Sequence, residues 1–280
     1  MTKYYRVLID CKDEKGLVYK ISKVFYNFGL NVENNREFVD AQNSKFFMRS
    51  EVSGKFDPNA LKKELESVLP DRANICLIEP RPKRIVLMVT KESHCLGDIL
   101  IRHEANELEA EILGVISNYD SLRSLVEKFD IPYLYVSHEG LQRAEHEAKI
   151  IEALEGFGDI DFIVLAKYMR ILTPEFVERY EECIINIHHS FLPAFIGANP
   201  YKQAYDRGVK IIGATAHFVN NNLDEGPIIA QNTIPINHTM DWKQMQRAGR
   251  DVEKIVLSKA LKLALEDKIF VYANKTVIFD

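Results

Sequence analysis

The sequence predicts two α/β bodies of unequal size. Residues 1–80 read as a βαββαβ sandwich, residues 81–84 as a linker, and residues 85–280 as a mostly parallel sheet covered by helices. Three observations predict this. The first 80 residues alternate strand-like and helical runs in an order that closes an antiparallel sheet with helices on one face. Glu79-Pro80-Arg81-Pro82-Lys83-Arg84 then brings two prolines and three bases with little to bury. From Ile85 onward, apolar strands alternate with amphipathic helices, the pattern of a parallel sheet buried on both faces.

Tyr4–Ile9 alternates as a strand, and Asp10–Gly16 is a polar turn ending in glycine. Leu17–Phe28 spaces Val18, Ile21, Val24, Phe25 and Phe28 as one helical face, closed by Gly29. Asn31–Val39 and Lys45–Val52 form two strands around the turn Asp40–Ser44. Asp57-Pro58 opens a second helix with Leu61, Leu65, Val68 and Leu69 inward, and Ala73–Glu79 supplies the last strand.

In the larger body the strands are Ile85–Thr90, Ala110–Ser117, Pro132–Val136, Phe162–Leu165 and Cys183–Ile187. The intervening helices are Leu96–Arg102, Leu122–Phe129, Arg143–Leu154 and Pro174–Tyr180. Val209–Val219 and Pro227–Ile236 extend the sheet. A long helix lies within Thr239–Leu265, with Trp242, Met245, Ala248, Val252, Ile255 and Leu263 near one face. Val271–Phe279 forms a terminal hairpin across Ala273-Asn274-Lys275.

Composition removes several function classes. Lys plus Arg number 36 against 41 Asp plus Glu, a net charge of −5, so no basic field marks a nucleic-acid binder. No apolar run reaches the roughly 20 residues that span a bilayer, and the N-terminal residues lack a secretory segment, so a cytoplasmic protein is expected. The cysteines Cys11, Cys76, Cys95 and Cys183 are scattered, which predicts free, mostly buried thiols and no metal centre. P-loop, GxGxxG, GxSxG and HExxH patterns are all missing from the sequence.

The densest polar cluster is Asn186-Ile187-His188-His189-Ser190-Phe191-Leu192-Pro193, at the end of an apolar strand. Period two puts Asn186 and His188 on one side, pairing an amide donor with a group that titrates near neutrality. They read either as a catalytic pair or as a satisfied core pair. Asn220-Asn221-Asn222-Leu223-Asp224-Glu225-Gly226-Pro227 reads first as a turn; Asp224 folded over the strand end would orient the histidine. His217 reads as a structural strand residue, and His94 and His138 lie at strand ends. His103, His146 and His238 read as surface residues, and Gln246–Asp251 as a solvated helix face.

Asn186-Ile187-His188 with Asp224 placed 36 residues beyond His188, together with Leu165-Ala166-Lys167-Tyr168-Met169-Arg170-Ile171-Leu172, resembles the signature of the folate-dependent formyltransferases. Residues 4–79 are similar to an ACT domain. Lys91–Asp98, Pro193–Pro200 and Gly249–Glu253 are similar to the ACT-bearing, hydrolytic branch of that family. The resemblance implies a Rossmann-like catalytic domain of the formyltransferase type over 85–280 and an ACT-like regulatory domain over 1–80. It implies Asn186, His188 and Asp224 as catalytic residues and Met169, Arg170, Ile171 and Leu172 as the folate-binding wall.

The implied reaction is 10-formyltetrahydrofolate plus water giving tetrahydrofolate and formate, with no cofactor. Asn186 and His188 would stabilise the oxyanion and Asp224 would assist proton transfer, supplying formate for purine synthesis and balancing one-carbon pools. Glu92-Ser93-His94 stands where transferases of the family carry a glycine-rich phosphate loop, which points to water as acceptor. The implied partners are the folate substrate and a small amino-acid effector near Asp10, Gly16 and Asn31, in a homo-oligomer, with no nucleic acid and no membrane. A true transferase, and an amino-acid sensor that uses the large body only to hold folate, are the competing readings.

Overall fold

The computed structural model describes residues 3–194 and 200–280. The motif Pro193–Pro200 therefore has its centre, Phe195–Asn199, outside the described residues. The chain divides into two compact units, Met1–Arg81 with Phe279–Asp280, and Pro82–Ile278.

The smaller unit runs β1 (Lys3–Lys12), α1 (Leu17–Asn27), β2 (Asn31–Asp40), β3 (Lys45–Gly54), α2 (Pro58–Val68) and β4 (Asn74–Ile78). Its antiparallel sheet has the order β2-β3-β1-β4. Period-two alternation turns Val7 and Ile9 of β1 and Phe46, Met48 and Val52 of β3 toward Ile21, Val24 and Phe25 of α1 and Leu61 and Leu65 of α2. Val18 points outward, 40% exposed, because Leu17 takes its place on the inner face. Asp57 caps α2 by accepting from Asn59 N, with Pro58 at the first helical position. The expected Asp10–Gly16 turn is shorter than anticipated. Asp10 accepts from Lys45 at 2.5 Å and from Asn74 at 3.0 Å, and these partners keep its polar strand end in the ladder as far as Lys12.

The larger unit runs β5 (Lys83–Val89), α3 (His94–Glu104), β6 (Ala110–Ser117), α4 (Arg123–Val126, extended by a 3₁₀ turn to Phe129), β7 (Tyr133–Tyr135), α5 (Arg143–Glu155), β8 (Phe162–Leu165), α6 (Pro174–Arg179), β9 (Ile184–His188), α7 (Pro200–Arg207), β10 (Ile211–Phe218), β11 (Ile228–Pro235), α8 (Trp242–Leu265) and a hairpin β12 (Ile269–Tyr272) and β13 (Lys275–Ile278). The seven-stranded sheet has the order β11-β10-β9-β8-β5-β6-β7. Five strands from β9 to β7 are parallel, and β10 and β11 continue antiparallel. Both faces of β5 are buried: Ile85, Leu87 and Val89 pack with α3 and α8, while Val86 and Met88 pack with α5 and α6. The chain passes from β5 to β6 and β7 on one side and then to β8 on the other. That reversal opens a crevice at the strands' carboxyl ends.

Several expectations are corrected. Lys83 and Arg84 belong to β5, not to a linker: Lys83 pairs with Asp267 at 2.7 Å, and Arg84 N donates to Asp161 at 2.7 Å. The helix α7 was not foreseen, since only Tyr201 and Ala204 give it an apolar face. The buried stripe of α8 is Met245, Gly249, Val252, Val256, Ala260 and Leu263; Ile255 lies one step off the stripe and is exposed, and Trp242, the first residue of the helix, is exposed at its end. His146 is buried, not superficial, with Nε2 at 2.9 Å from the Val136 carbonyl. Cys11 and Cys95 are buried, Cys183 is half-buried and Cys76 is exposed, and none of the four is in a disulfide. Among the described residues no helix is long and apolar enough to cross a membrane.

Candidate active site

Beyond the carboxyl ends of β8 and β9 lies a cleft of ≈ 300 Å³, walled by Lys167–Leu172 on one side and Val219–Asp224 on the other, with Asn186, His188 and His217 at its base.

Strand register assembles the base. In the antiparallel pair β9–β10, Asn186 lies opposite His217 and His188 opposite Thr215, so the four side chains share one face. A bulge between Ala216 and His217 shifts the pairing of β10 with β11 at that point. His217 Nδ1 donates to the Phe218 carbonyl at 2.8 Å, which leaves Nε2 to accept from Asn186 Nδ2 at 3.2 Å. Burial pushes the His217 imidazole below its usual value, keeping it a neutral acceptor. This fixes which end of the Asn186 amide faces the cleft: a nitrogen with one proton still unused.

The return from β10 to β11 brings in Asp224, which adopts φ 58°. The loop closes tightly because residue 226 is glycine; a Cβ there would stand 1.8 Å from the Phe218 carbonyl oxygen. Asp224 Oδ1 lies 3.2 Å from His188 Nδ1 and 3.9 Å from His217 Nε2. Burial pushes the Asp224 carboxyl upward. The bond from His188 and the neighbouring imidazoles outweigh it, so the group sits below the usual carboxylate value and is ionised at neutral pH. His188 Nε2 is buried without a partner. An imidazole with one nitrogen held by a carboxylate and the other empty-handed at a cleft is poised for a polar ligand atom.

The wall Lys167–Leu172 is pinned along its length. Met169 N donates to Thr90 Oγ1 at 2.9 Å, and Thr173, which caps α6, bonds the buried Glu147 through N at 3.0 Å and Oγ1 at 2.5 Å. Met169, Ile171 and Leu223 are 57%, 51% and 49% exposed, an apolar rim suited to a flat aromatic ligand. The four expected wall residues Met169, Arg170, Ile171 and Leu172 all line the cleft.

Behind His188 is a second polar cluster. The buried Glu253 of α8 accepts from His94 Nε2 at 2.7 Å, Tyr201 Oη at 2.7 Å and Lys167 Nζ at 3.2 Å. Burial pushes its carboxyl up, yet these three donors bring it down to about 2. Lys167 holds φ 67°, a left-handed conformation costly for a side chain with a Cβ. His189, with its ring centroid 5.2 Å from that of His188, is pushed down to about 3 by burial and the Lys167 charge, so it is neutral. His94, Cys95 and Glu253 bring donor atoms within 4.8 Å of one another, but Glu253 is already shared among three donors and burial keeps the Cys95 thiol protonated. His138 lies elsewhere, its Nδ1 3.2 Å from the Asn118 carbonyl.

Register separates the expected regulatory residues. Asp10 pairs opposite Phe47 and Asn31 opposite Ser53, six residues apart on β3, about 20 Å of strand. Asp10 and Gly16 therefore share one end of the sheet and Asn31 the other, so the three form no single pocket within one copy.

Fold and site together are those of a formyltransferase-type body carried in one chain with an ACT domain. The formyl transferase family model matches residues 83–261 and the ACT domain model residues 5–70. The formyltetrahydrofolate deformylase of Haemophilus influenzae is 57% identical over 272 residues, covering 97% of this chain and 98% of that one. That of Escherichia coli K12 is 56% identical over 268 residues, covering 96% and 95%. The crystal structure of a formyltetrahydrofolate deformylase from Pseudomonas syringae superposes with a TM-score of 0.93 at 40% identity, covering 100% of this chain and 95% of that one. The chain belongs to the formyltetrahydrofolate deformylase family and, as a member, is a hydrolase acting on a linear amide.

Proposed function

We propose that the chain hydrolyses 10-formyltetrahydrofolate to tetrahydrofolate and formate, using Asn186, His188 and Asp224 and no cofactor. The observation that carries the reading is the buried, unpartnered His188 Nε2 at the cleft base, with Nδ1 held by the Asp224 carboxylate at 3.2 Å. The pterin lies against Met169, Arg170, Ile171 and Leu172. Water adds to the formyl carbon; the charge that develops on the formyl oxygen meets the free Asn186 amide proton and His188 Nε2–H. Asp224 stabilises the imidazolium and helps carry the proton from water to the folate nitrogen as the carbon–nitrogen bond breaks. The ionised state of Asp224 supports this role.

The formate released would feed purine synthesis and balance the one-carbon pools of the cytoplasm. A small amino acid seated between the smaller units of two copies would set the rate, since Asp10 and Gly16 of one copy need Asn31 from another to complete a pocket. The test of the catalytic reading is formate release from 10-formyltetrahydrofolate with no amine present. Release by the unaltered chain, lost in His188→Ala, is expected; formate only when an amine acceptor is added would replace this reading with a transferase.

A further inference from the structure

The crevice at a topological reversal offers room on both flanks of the central strands. Here, among the described residues, the main cleft opens on one flank, and polar side chains stand on the other. On the cleft side of His188 stand Asp224, Asn186 and His217; on the other side the His189 ring packs between His188 and Tyr201, at centroid distances of 5.2 and 5.9 Å. Tyr201 donates to Glu253, and Glu253 joins Lys167 and His94. His94 Nδ1 reaches Glu92 at 3.4 Å, and Glu92 reaches Arg250 at 3.4 Å. These groups come from the ends of β5, β8 and β9 and from α3, α7 and α8, and together they occupy the second flank.

The filling is built at some cost, and apolar side chains would serve a purely structural role at least as well. Lys167 takes a left-handed backbone, is 4% exposed and belongs at once to the cluster and to the cleft wall. Gly249 exists for Tyr201, since a Cβ there would lie 2.0 Å from the tyrosine oxygen. The carboxylate, hydroxyl, ammonium and imidazole satisfy one another, which holds the plug together as a hydrogen-bonded unit.

We propose that the Glu253–Lys167–His94–Tyr201 cluster determines acceptor specificity: it occupies the flank of the crevice from which an amine would reach the formyl carbon, and so restricts the nucleophile to water. The inference rests on the hydrolytic reading above. With the plug opened, an amine nitrogen forms the bond to the formyl carbon, the bond from that carbon to the folate nitrogen breaks, and the amine's proton ends on the folate nitrogen. The products are an N-formyl amine and tetrahydrofolate.

The probe is methoxyamine, uncharged at neutral pH and larger than water, supplied with 10-formyltetrahydrofolate while formate and N-methoxyformamide are both measured. Lys167→Gly combined with Glu253→Gln opens the plug, suits the left-handed backbone and leaves no lone buried charge. Glu253→Gln alone keeps the volume filled. The unaltered chain and Glu253→Gln are expected to give N-methoxyformamide at the uncatalysed level, and the double variant to raise its share of product by about tenfold. Should the double variant not fold, His94→Ala, which trims the half-buried rim and spares the Lys167–Glu253 pair, is expected to raise the same share. A folded, formate-releasing opened variant whose product share matches the unaltered chain overturns the inference alone. Absence of formate from the unaltered chain overturns the hydrolytic reading, and this inference with it.

Discussion

Replacing Asp224 with asparagine removes the charge facing His188 Nδ1 while keeping the side chain's shape and one acceptor oxygen. Both partners are nearly enclosed, with side chains 6% and 9% exposed, and their polar atoms are 3.2 Å apart. At that distance, with an effective dielectric near 20, a unit charge pair is worth roughly 5 kcal/mol gross. Asparagine recovers part of it through a neutral hydrogen bond, leaving a net loss of about 3–4 kcal/mol in stabilising the imidazolium, or 10²–10³ in kcat. KM should move little, because the cleft walls proposed to hold the folate are untouched. Stopped-time formate assays with saturating substrate give kcat, and fluorescence titration with tetrahydrofolate gives affinity. A variant that binds tetrahydrofolate normally and keeps kcat within about threefold of the unaltered chain would refute the role assigned to the aspartate.

Other expectations follow from the same geometry. His217→Phe removes the acceptor that aims Asn186, and should lower kcat by about tenfold with tetrahydrofolate affinity retained, read in the same two assays. Gly226→Ala forces a Cβ into the Phe218 carbonyl and should cost several °C in Tm and most of the activity; a melt and activity matching the unaltered chain would contradict the loop account. Glu253 is held at about 2, and an acid with a depressed value adds stability above its unfolded value that is lost as pH falls. Neutral His189, at about 3, acts in the same direction below its unfolded value. Tm should therefore drop as pH falls from 6.5 toward 3, and Glu253→Gln should flatten the lower part of that fall. Calorimetry with the standard amino acids, read beside activity, tests the effector; no heat with any of them would leave the smaller unit a structural module.

Much of this architecture is written locally. The strands of the larger unit were legible because both their faces are buried, which makes them short uninterrupted apolar runs such as Ile85–Val89. Asn186 and His188 stood out as polar groups at the end of such a run, and Asp224 through the resemblance to the formyltransferase signature. His217 did not, because its meaning lies in a register: only when β10 pairs with β9 does it come opposite Asn186. The partners of Glu253 were hidden for a similar reason. The residue entered only within the Gly249–Glu253 resemblance, and it is 159 residues from His94, its partner at 2.7 Å. His146 misled because a histidine flanked by Glu145 and Glu147 looks exposed until Val136 supplies its acceptor. Topology separates the regulatory trio within one copy: α1 carries the chain back along the sheet, so Asn31 starts at the end opposite to Asp10.

The proposed reaction turns on solvent itself attacking the formyl carbon at the His188–Asp224 pair. Turnover of 10-formyltetrahydrofolate in water enriched in heavy oxygen tests this most directly, by mass spectrometry of the formate formed. One solvent oxygen in each formate, at a rate that collapses in Asp224→Asn, is the predicted result; unlabelled formate, or labelling that proceeds equally fast in the variant, would contradict it.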